Sequence, residues 1–446
     1  MRSVRSRLFI ICFAAFFTVL IGFAPRLLNG QQAPLAAPAQ TPPATASTAQ
    51  SGQGFTLPPD KLAKATTLGY IRSTFHFGGA LWGLGVLWLL LASRGAAGME
   101  NGAKRLVKQR WLQGILFFLA LQIVVEVADL PLSLIGHTVS LHYGISVQGW
   151  WSWLGDLGKA LGLSLLLGTP LLLFFNWIVR VSPGRYWLWA WIVTLPLMVM
   201  GACGDPLIAP LFNKFEPLSK SRPDLVEKLE KVAARTGTKI PPERIFLMKA
   251  SLKTNALNAY VTGLGETKRI VVWDTTAGRI PDDEVLFIFG HESGHYVLHH
   301  ILKGLAGAAA GLFFLYWICA RFATWLALRM GPRWGLEGLS SRAGFVVLLF
   351  TLSAAQIFFE PVSNAYSRHF EHEADIYGQE AIHGIVADPQ QTAVSAFNHL
   401  GAAVLDDPNP SPFIEFWTYS HPSIQRRARF AAQYDPWQPG GKPKFF

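Results

Sequence analysis

Seven stretches of this chain carry no Asp, Glu, Lys or Arg and approach or exceed the length needed to cross a hydrocarbon core: residues 8–24, 75–93, 111–125, 160–179, 186–204, 304–320 and 343–359. A helix needs about 20 apolar residues to span a bilayer, and in lipid every backbone N–H and C=O must be satisfied within the segment itself. The runs therefore predict a mainly α, polytopic membrane protein with about seven transmembrane helices. The third run is short, but it continues past Glu126 and Asp129 to Ile135. Only 15% of the 446 residues are charged, against roughly a quarter in soluble domains. Three cysteines, Cys12, Cys203 and Cys319, all lie in apolar surroundings, which excludes a disulfide framework and a thiolate zinc ribbon. The net charge of +11 suits either nucleic acid or a membrane with basic loops facing inward. Because the basic residues flank the spans and form no aromatic-lined patch, the expected partner is the lipid bilayer, and no nucleic acid is expected.

Arg2, Arg5 and Arg7 precede the first run and Ala-Pro-Ala follows at 37–39, so residues 1–25 read as a signal anchor or signal peptide. Residues 26–59, rich in Pro, Ala, Gln and Ser, read as a disordered linker. With the N-terminus inside, the short cytoplasmic segments hold 13 Lys and Arg residues and the short outer segments 5. This asymmetry places both longer polar segments on the non-cytoplasmic side, as in a bacterial inner membrane. The expected order is transmembrane helices 2–5 at 60–204, a catalytic insert at 205–303, helices 6 and 7 at 304–380, and a tail at 381–446.

In the insert, Leu225, Leu229, Val232 and Ala233 have helical spacing. Three strand-like runs follow at 244–248, 257–262 and 269–273, predicting a small α+β domain with a short sheet. Pro281, Asp282, Asp283 and Glu284 then open another helix, through a preset φ and acids at the positive end of the dipole. That helix carries His291-Glu292-Ser293-Gly294-His295. Histidines four apart share a helix face, so two ring nitrogens can converge on one cation while the glutamate between them points toward water beside it. The plain alternative is a histidine-bearing surface helix, since His299 and His300 follow, but the apolar run 285–289 makes its start a buried one.

A catalytic zinc takes three protein ligands and keeps one position open, so a third ligand must come from elsewhere. The helix expected to continue the seventh run carries Glu371 and Asp375, four apart on one face. Glu371 is the candidate ligand there, and Asp375 the candidate acceptor that fixes the tautomer of a ligand histidine. Glu373 points about 160° away from Asp375. The alternative is a solvated helix end with Arg368 paired to Glu371 or His372. Glu126, Asp129, Asp156, Asp205 and Glu360 near the span ends fit either a wet interior or paired packing groups.

Residues 57–433 resemble the integral-membrane zinc metalloendopeptidases of the type I CAAX prenyl protease family, to which bacterial heat-shock membrane proteases are related. The resemblance rests on Pro210-Leu-Phe-Asn-Lys-Phe-Glu-Pro-Leu218, Asn258-Ala-Tyr260, His291-Glu-Ser-Gly-His295 with His300, Ser367-Arg-His-Phe-Glu371 with Ala374-Asp375, and Ser420-His-Pro422 with Arg427. It implies a zincin-type domain with one Zn2+ per chain held by His291, His295 and Glu371, Glu292 as general base and Asp375 behind the ligands. It also implies a substrate-binding edge strand at Asn258, Ala259 and Tyr260 that pairs with an extended peptide, a further substrate-binding role for Arg427, and a catalytic His421 that steadies the oxyanion or the substrate. A loop histidine before a proline is the alternative for His421. The substrates implied are membrane-associated, lipidated or exported proteins. The competing class is a scaffold or transporter with a structural zinc, although such sites have four closed ligands. Two departures stand out: Arg426 occupies a position where relatives usually carry an acid, and the uncharged linker has no counterpart.

Overall fold

The computed structural model describes residues 55–238, 240–263 and 268–446. The expected signal segment and most of the linker lie outside them. In chain order the first helices are α1 (Pro59–Ala92), α2 (Gly95–Leu106), α3 (Arg110–His142), α4 (Trp150–Val181) and α5 (Tyr186–Phe212). The insert follows with β1 (Phe215–Pro217), α6 (Pro223–Thr236), β2 (Ile245–Met248), β3 (Ala259–Thr262), β4 (Arg269–Trp273), α7 (Asp274–Arg279) and α8 (Asp282–Val297). The chain ends with α9 (His300–Trp334), α10 (Arg342–Ala381), α11 (Pro389–Val404), α12 (Pro412–Thr418) and α13 (Ile424–Gln433).

Among the described residues, α1, α3, α4, α5, α9 and α10 are long and apolar enough to cross a membrane. They match the second to seventh apolar runs, and each helix outlasts its run because its solvated ends keep the same backbone pattern. α3 passes through Glu126, Asp129 and Pro131 without a break. At the linker boundary the structure departs from expectation: Phe55 and Leu57 are buried in the insert's core, and α1 already begins at Pro59. Two large apolar side chains give this end of the segment enough buried surface to offset its ordering entropy.

The two ends of the bundle are distinct. At one end, Val147 N–H in the loop after α3 donates to Lys253 O (3.0 Å), and Ser146 bridges Thr254, which docks that loop on the insert. At the other end, Ala343 N–H donates to the buried Glu100 carboxylate (2.8 Å), Lys104 pairs with Glu337 (2.8 Å), and Arg94 donates to Arg333 O (2.9 Å). Four of the five acids near the span ends have named partners: Glu126 with Gln122, Asp156 with Lys159 and Lys253, Asp205 with Arg269, and Glu360 with His76.

The sheet has the order β1-β2-β4-β3. β1 is antiparallel to β2, β2 parallel to β4, and β3 antiparallel to β4 with Ala259 opposite Val272. β1 goes beyond the sequence reading, since three residues ending in proline give no periodicity and proline is tolerated only at such an edge. Leu225, Leu229 and Val232 of α6 are fully buried beside Ile245, Ile270 and Val272. Residues 285–289 of α8 are buried on every side, which marks a core helix. Phe287 meets Phe397 of α11 edge to face, with centroids 5.2 Å apart.

Between α8 and α10 the contact is close enough to involve backbone directly. A Cβ at Gly378 would lie 2.8 Å from His291 N and 3.0 Å from its Cα. A Cβ at Gly290 would lie 3.1 Å from Gly378 O, and one at Gly294 2.9 Å from Tyr377 Cβ. The glycines therefore bring two backbones together immediately beside His291 and His295. Replacing Gly378 by Ala is expected to lower stability by about 1–3 kcal/mol, because the neighbour is backbone and cannot rotate away. Thermal unfolding in detergent checks this, with Gly83→Ala in α1, where nothing lies within 4 Å of the added carbon, expected to leave the transition in place.

Candidate metal centre

Glu371, Asp375 and Gly378 stand at i, i+4 and i+7 of α10 and so share one face, the face pressed on α8. This register carries the two acids to the histidines. His291 Nε2 lies 3.1 Å from His295 Nε2 and 3.3 Å from Glu371 Oε2, and His295 Nε2 lies 3.4 Å from Glu371 Oε1. One donor atom from each of the three residues falls within 4.8 Å of the other two. Glu371 Oε2 is buried and makes no well-aligned hydrogen bond, although the Nε2 atoms of His291 and His421 lie 3.3 and 3.2 Å from it; nitrogen lone pairs gathered around a carboxylate are an arrangement that a cation would complete. Two imidazole nitrogens facing one carboxylate is the donor set of a zinc site.

Behind this trio, Asp375 Oδ1 lies 2.9 Å from His291 Nδ1. Arg427 of α13 grips the same carboxylate with two bonds, Nε at 2.9 Å and Nη2 at 2.6 Å, and its Nη2 lies 3.8 Å from Glu371. Arg427 was expected to contact substrate. In the structure it is buried and pairs with Asp375, because a guanidinium fork matches a carboxylate in two places at once. The Asp375 contact raises the Arg427 pKa against the effect of burial. Burial alone would depress the His291 imidazole, but Asp375 and Glu371 reverse this and raise it to about 10. The cluster thus calls for positive charge, which a divalent cation supplies.

Glu292 points from the same helix turn toward β3, and the Val261 backbone N–H bonds to its carboxyl. Burial pushes the Glu292 pKa above the ordinary carboxylate range, with the His291 and His295 rings opposing that shift. His421, in the loop after α12, brings Nε2 to 3.2 Å from Glu371 Oε2, while Ser420 Oγ lies 2.8 Å from its Nδ1. Half of the His421 side chain stays exposed.

β3 is an edge strand and passes beside α8, as expected for a strand that can receive an extended chain. Within it the assignment shifts by one residue. Asn258 precedes the strand, and its N–H and C=O are taken by Thr276 Oγ1 (2.6 Å) and Trp273 N (3.0 Å). Because backbone groups alternate sides along a strand, Ala259 and Val261 face outward, and Asn258 and Tyr260 face β4. Val261 is a site residue that sequence spacing does not reveal, since only its peptide group matters. Glu373 turns away from the trio to His300 (3.3 Å) and Lys444 (2.9 Å). Arg368 donates to the carbonyls of Glu415, Phe416 and Tyr419, so the solvated pairing with Glu371 is not formed.

The chain is similar to proteins of one family along most of its length. The model of peptidase family M48 matches residues 219–435, and that of the CAAX prenyl protease N-terminal region, described as five membrane helices, matches residues 44–214. The uncharacterized metalloprotease YhfN of Bacillus subtilis is 33% identical over 374 residues, which cover 84% of this chain and 86% of that protein. The CAAX prenyl protease 1 homolog of Oryza sativa subsp. japonica is 30% identical over 71% of this chain and 72% of that one. The crystal structure of S. mikatae Ste24p has the same fold, with a TM-score of 0.71, 21% identity, and coverage of 94% of this chain and 97% of that chain.

Removing the Asp375 support is expected to weaken metal binding about 10- to 100-fold, the usual effect of losing a carboxylate behind a ligand histidine. Asp375→Asn in purified protein, titrated with zinc against a chromophoric chelator, measures this. An unchanged affinity would show that Asp375 does not act on His291.

Proposed function

The chain belongs to the CAAX prenyl protease type of peptidase family M48, an integral multi-pass membrane metalloprotease, and from that premise we propose that it hydrolyses internal peptide bonds at the cluster of His291, His295 and Glu371 with Glu292 as general base. The observation that carries this reading is the convergence of two imidazole nitrogens and one buried carboxylate beside a glutamate. Three ligands rather than four leave room for a reactant, which favours a catalytic over a structural site. Zinc bound there supplies Lewis-acid activation of water and of the scissile carbonyl.

The chain's own residues divide the remaining work. An extended substrate pairs with the outward backbone of Ala259 and the outward C=O of Val261, which sets the register of its scissile bond and brings that bond to Glu292, itself held by the Val261 N–H. The Glu292 carboxylate takes a proton from the attacking water and returns it to the departing amine nitrogen, acting as base and then as acid. Its raised pKa suits it to hold that proton between the two steps. His421, steadied through Nδ1 by Ser420, offers Nε2, the nitrogen beside Glu371, to the developing oxyanion; donors of this kind are typically worth roughly 3 to 4 kcal/mol. Arg427 and Asp375 hold the His291 ring in place and touch no substrate.

Substrates follow from place as well as chemistry. The catalytic residues sit on a domain fixed to the ends of membrane helices, which favours membrane-associated, lipidated or exported proteins. The name of the Oryza sativa relative points to prenylated C-terminal tails. The end of the bundle away from the catalytic domain holds Arg94, Lys104, Arg105, Lys108, Arg110, Arg180, Arg185, Arg333 and Arg342, which supports a cytoplasmic position for that end and a non-cytoplasmic catalytic domain, as in a bacterial inner membrane.

Three experiments test these assignments. Detergent-solubilised protein incubated with a mixed peptide library should give defined products that a zinc chelator abolishes. Glu292→Gln should keep its zinc while turnover falls by orders of magnitude, and near-normal turnover would contradict the assignment of the base. An enzymatic reporter fused after Phe446 should be active on the non-cytoplasmic side, and cytoplasmic activity would reverse the orientation.

A further inference from the structure

His291 has an evident support in Asp375, whereas His295, the other histidine of the pair, has none on α10. We infer that His300 and Glu373, steadied by Lys444, orient the His295 ring for metal binding; this rests on the zinc reading above and names how this chain positions its second histidine. His300 Nδ1 lies 3.2 Å from His295 Nδ1, His300 Nε2 lies 3.3 Å from Glu373 Oε2, and Lys444 Nζ donates to Glu373 Oε1 at 2.9 Å.

On an uninterrupted helix His300 would not reach His295, since five residues turn through about 140° net. The chain breaks at His299, which adopts a left-handed conformation (φ 59°, ψ 32°) as the residue before α9. Such a conformation is uncommon for a residue with a side chain. Here it folds His300 back over the preceding turn. The His300 ring is buried and stacks on Phe370 of α10, with centroids 4.5 Å apart and planes 16° apart, so its orientation is fixed by packing.

The proton positions along this chain follow from one requirement. With His295 Nε2 given to a metal, its Nδ1 carries hydrogen and donates to His300 Nδ1, which leaves the His300 proton on Nε2 facing Glu373. Every link then has one donor and one acceptor, and the lysine balances the carboxylate at the end. The lysine is held independently of this function: Lys444 N and Phe445 N donate to the fully buried Glu380 carboxylate at 2.6 and 2.7 Å. Phe445 and Phe446 pack on Tyr377, the residue that Gly294 abuts.

The test uses the full chain in detergent with three readouts: zinc affinity by chelator competition, the visible absorption of the cobalt-substituted protein, and the Tm of metal-free protein. His300→Phe keeps the stacking but removes the acceptor, so zinc affinity should fall about 10- to 100-fold and the cobalt bands should change while the metal-free Tm stays put. His300→Gln offers an amide oxygen to His295 and an amide N–H to Glu373, and should recover most of the affinity. Lys444→Met should produce a smaller loss in the same direction. The inference is overturned if the Phe variant binds zinc like wild type, or if the Phe and Gln variants lose affinity equally in step with a fallen metal-free Tm. A different result identifies failure of the underlying zinc reading: zinc binding by wild type that His295→Ala leaves intact.

Discussion

The site depends on two helices that meet at glycines. Gly290 on α8 and Gly378 on α10 bring backbone against backbone, Gly294 makes room for the Tyr377 side chain, and the functional groups sit one residue along from the first and last of the α8 glycines and on the same face as Gly378. Packed interiors do not absorb even one added methyl group without a shift elsewhere, so this contact converts sequence spacing into a fixed separation between imidazoles and carboxylates. A wider crossing would carry Glu371 away from both rings, whatever the residue types.

The sequence makes plain the parts governed by period and composition. Long uncharged runs can only be helices in lipid, which is why the second to seventh runs correspond to six observed helices; the first run lies outside the described residues. His291, Glu292 and His295 are legible because helical geometry links residues four apart, and Glu371 with Asp375 for the same reason. Less legible is whatever depends on long-range contact. Arg427 carries a charge that suits substrate binding as well as it suits Asp375, and only the fold pairs them. Val261 acts through its peptide group, which leaves no trace in residue type. His300 reaches His295 only because the helix breaks at His299, and no glycine marks that turn. Phe55 and Leu57 look like the end of a polar segment until the core that receives them is known.

Membrane and polar parts share elements instead of being joined by linkers. α10 begins beside α2 at one end of the bundle, runs through the apolar layer, and ends in the helix turns that carry Glu371 and Asp375. The catalytic domain is therefore held by the same rod that anchors the protein in lipid, and the loop after α3 ties it down a second time through Val147 and Ser146. Glu371 and Asp375 thus sit on the same continuous helix as the apolar run 343–359.

The carboxylate clamp formed by Arg427 and Asp375 also bears on biogenesis. α8, with both histidines, leaves the ribosome well before α10 and α13, and two further membrane helices must insert before the acids and the arginine can reach it. Until that happens the half-made centre has nitrogen donors but neither its carboxylate nor the brace behind it. The cluster is therefore complete only once the last of these elements has closed on the first, a separation along the chain that makes its assembly a late event in folding.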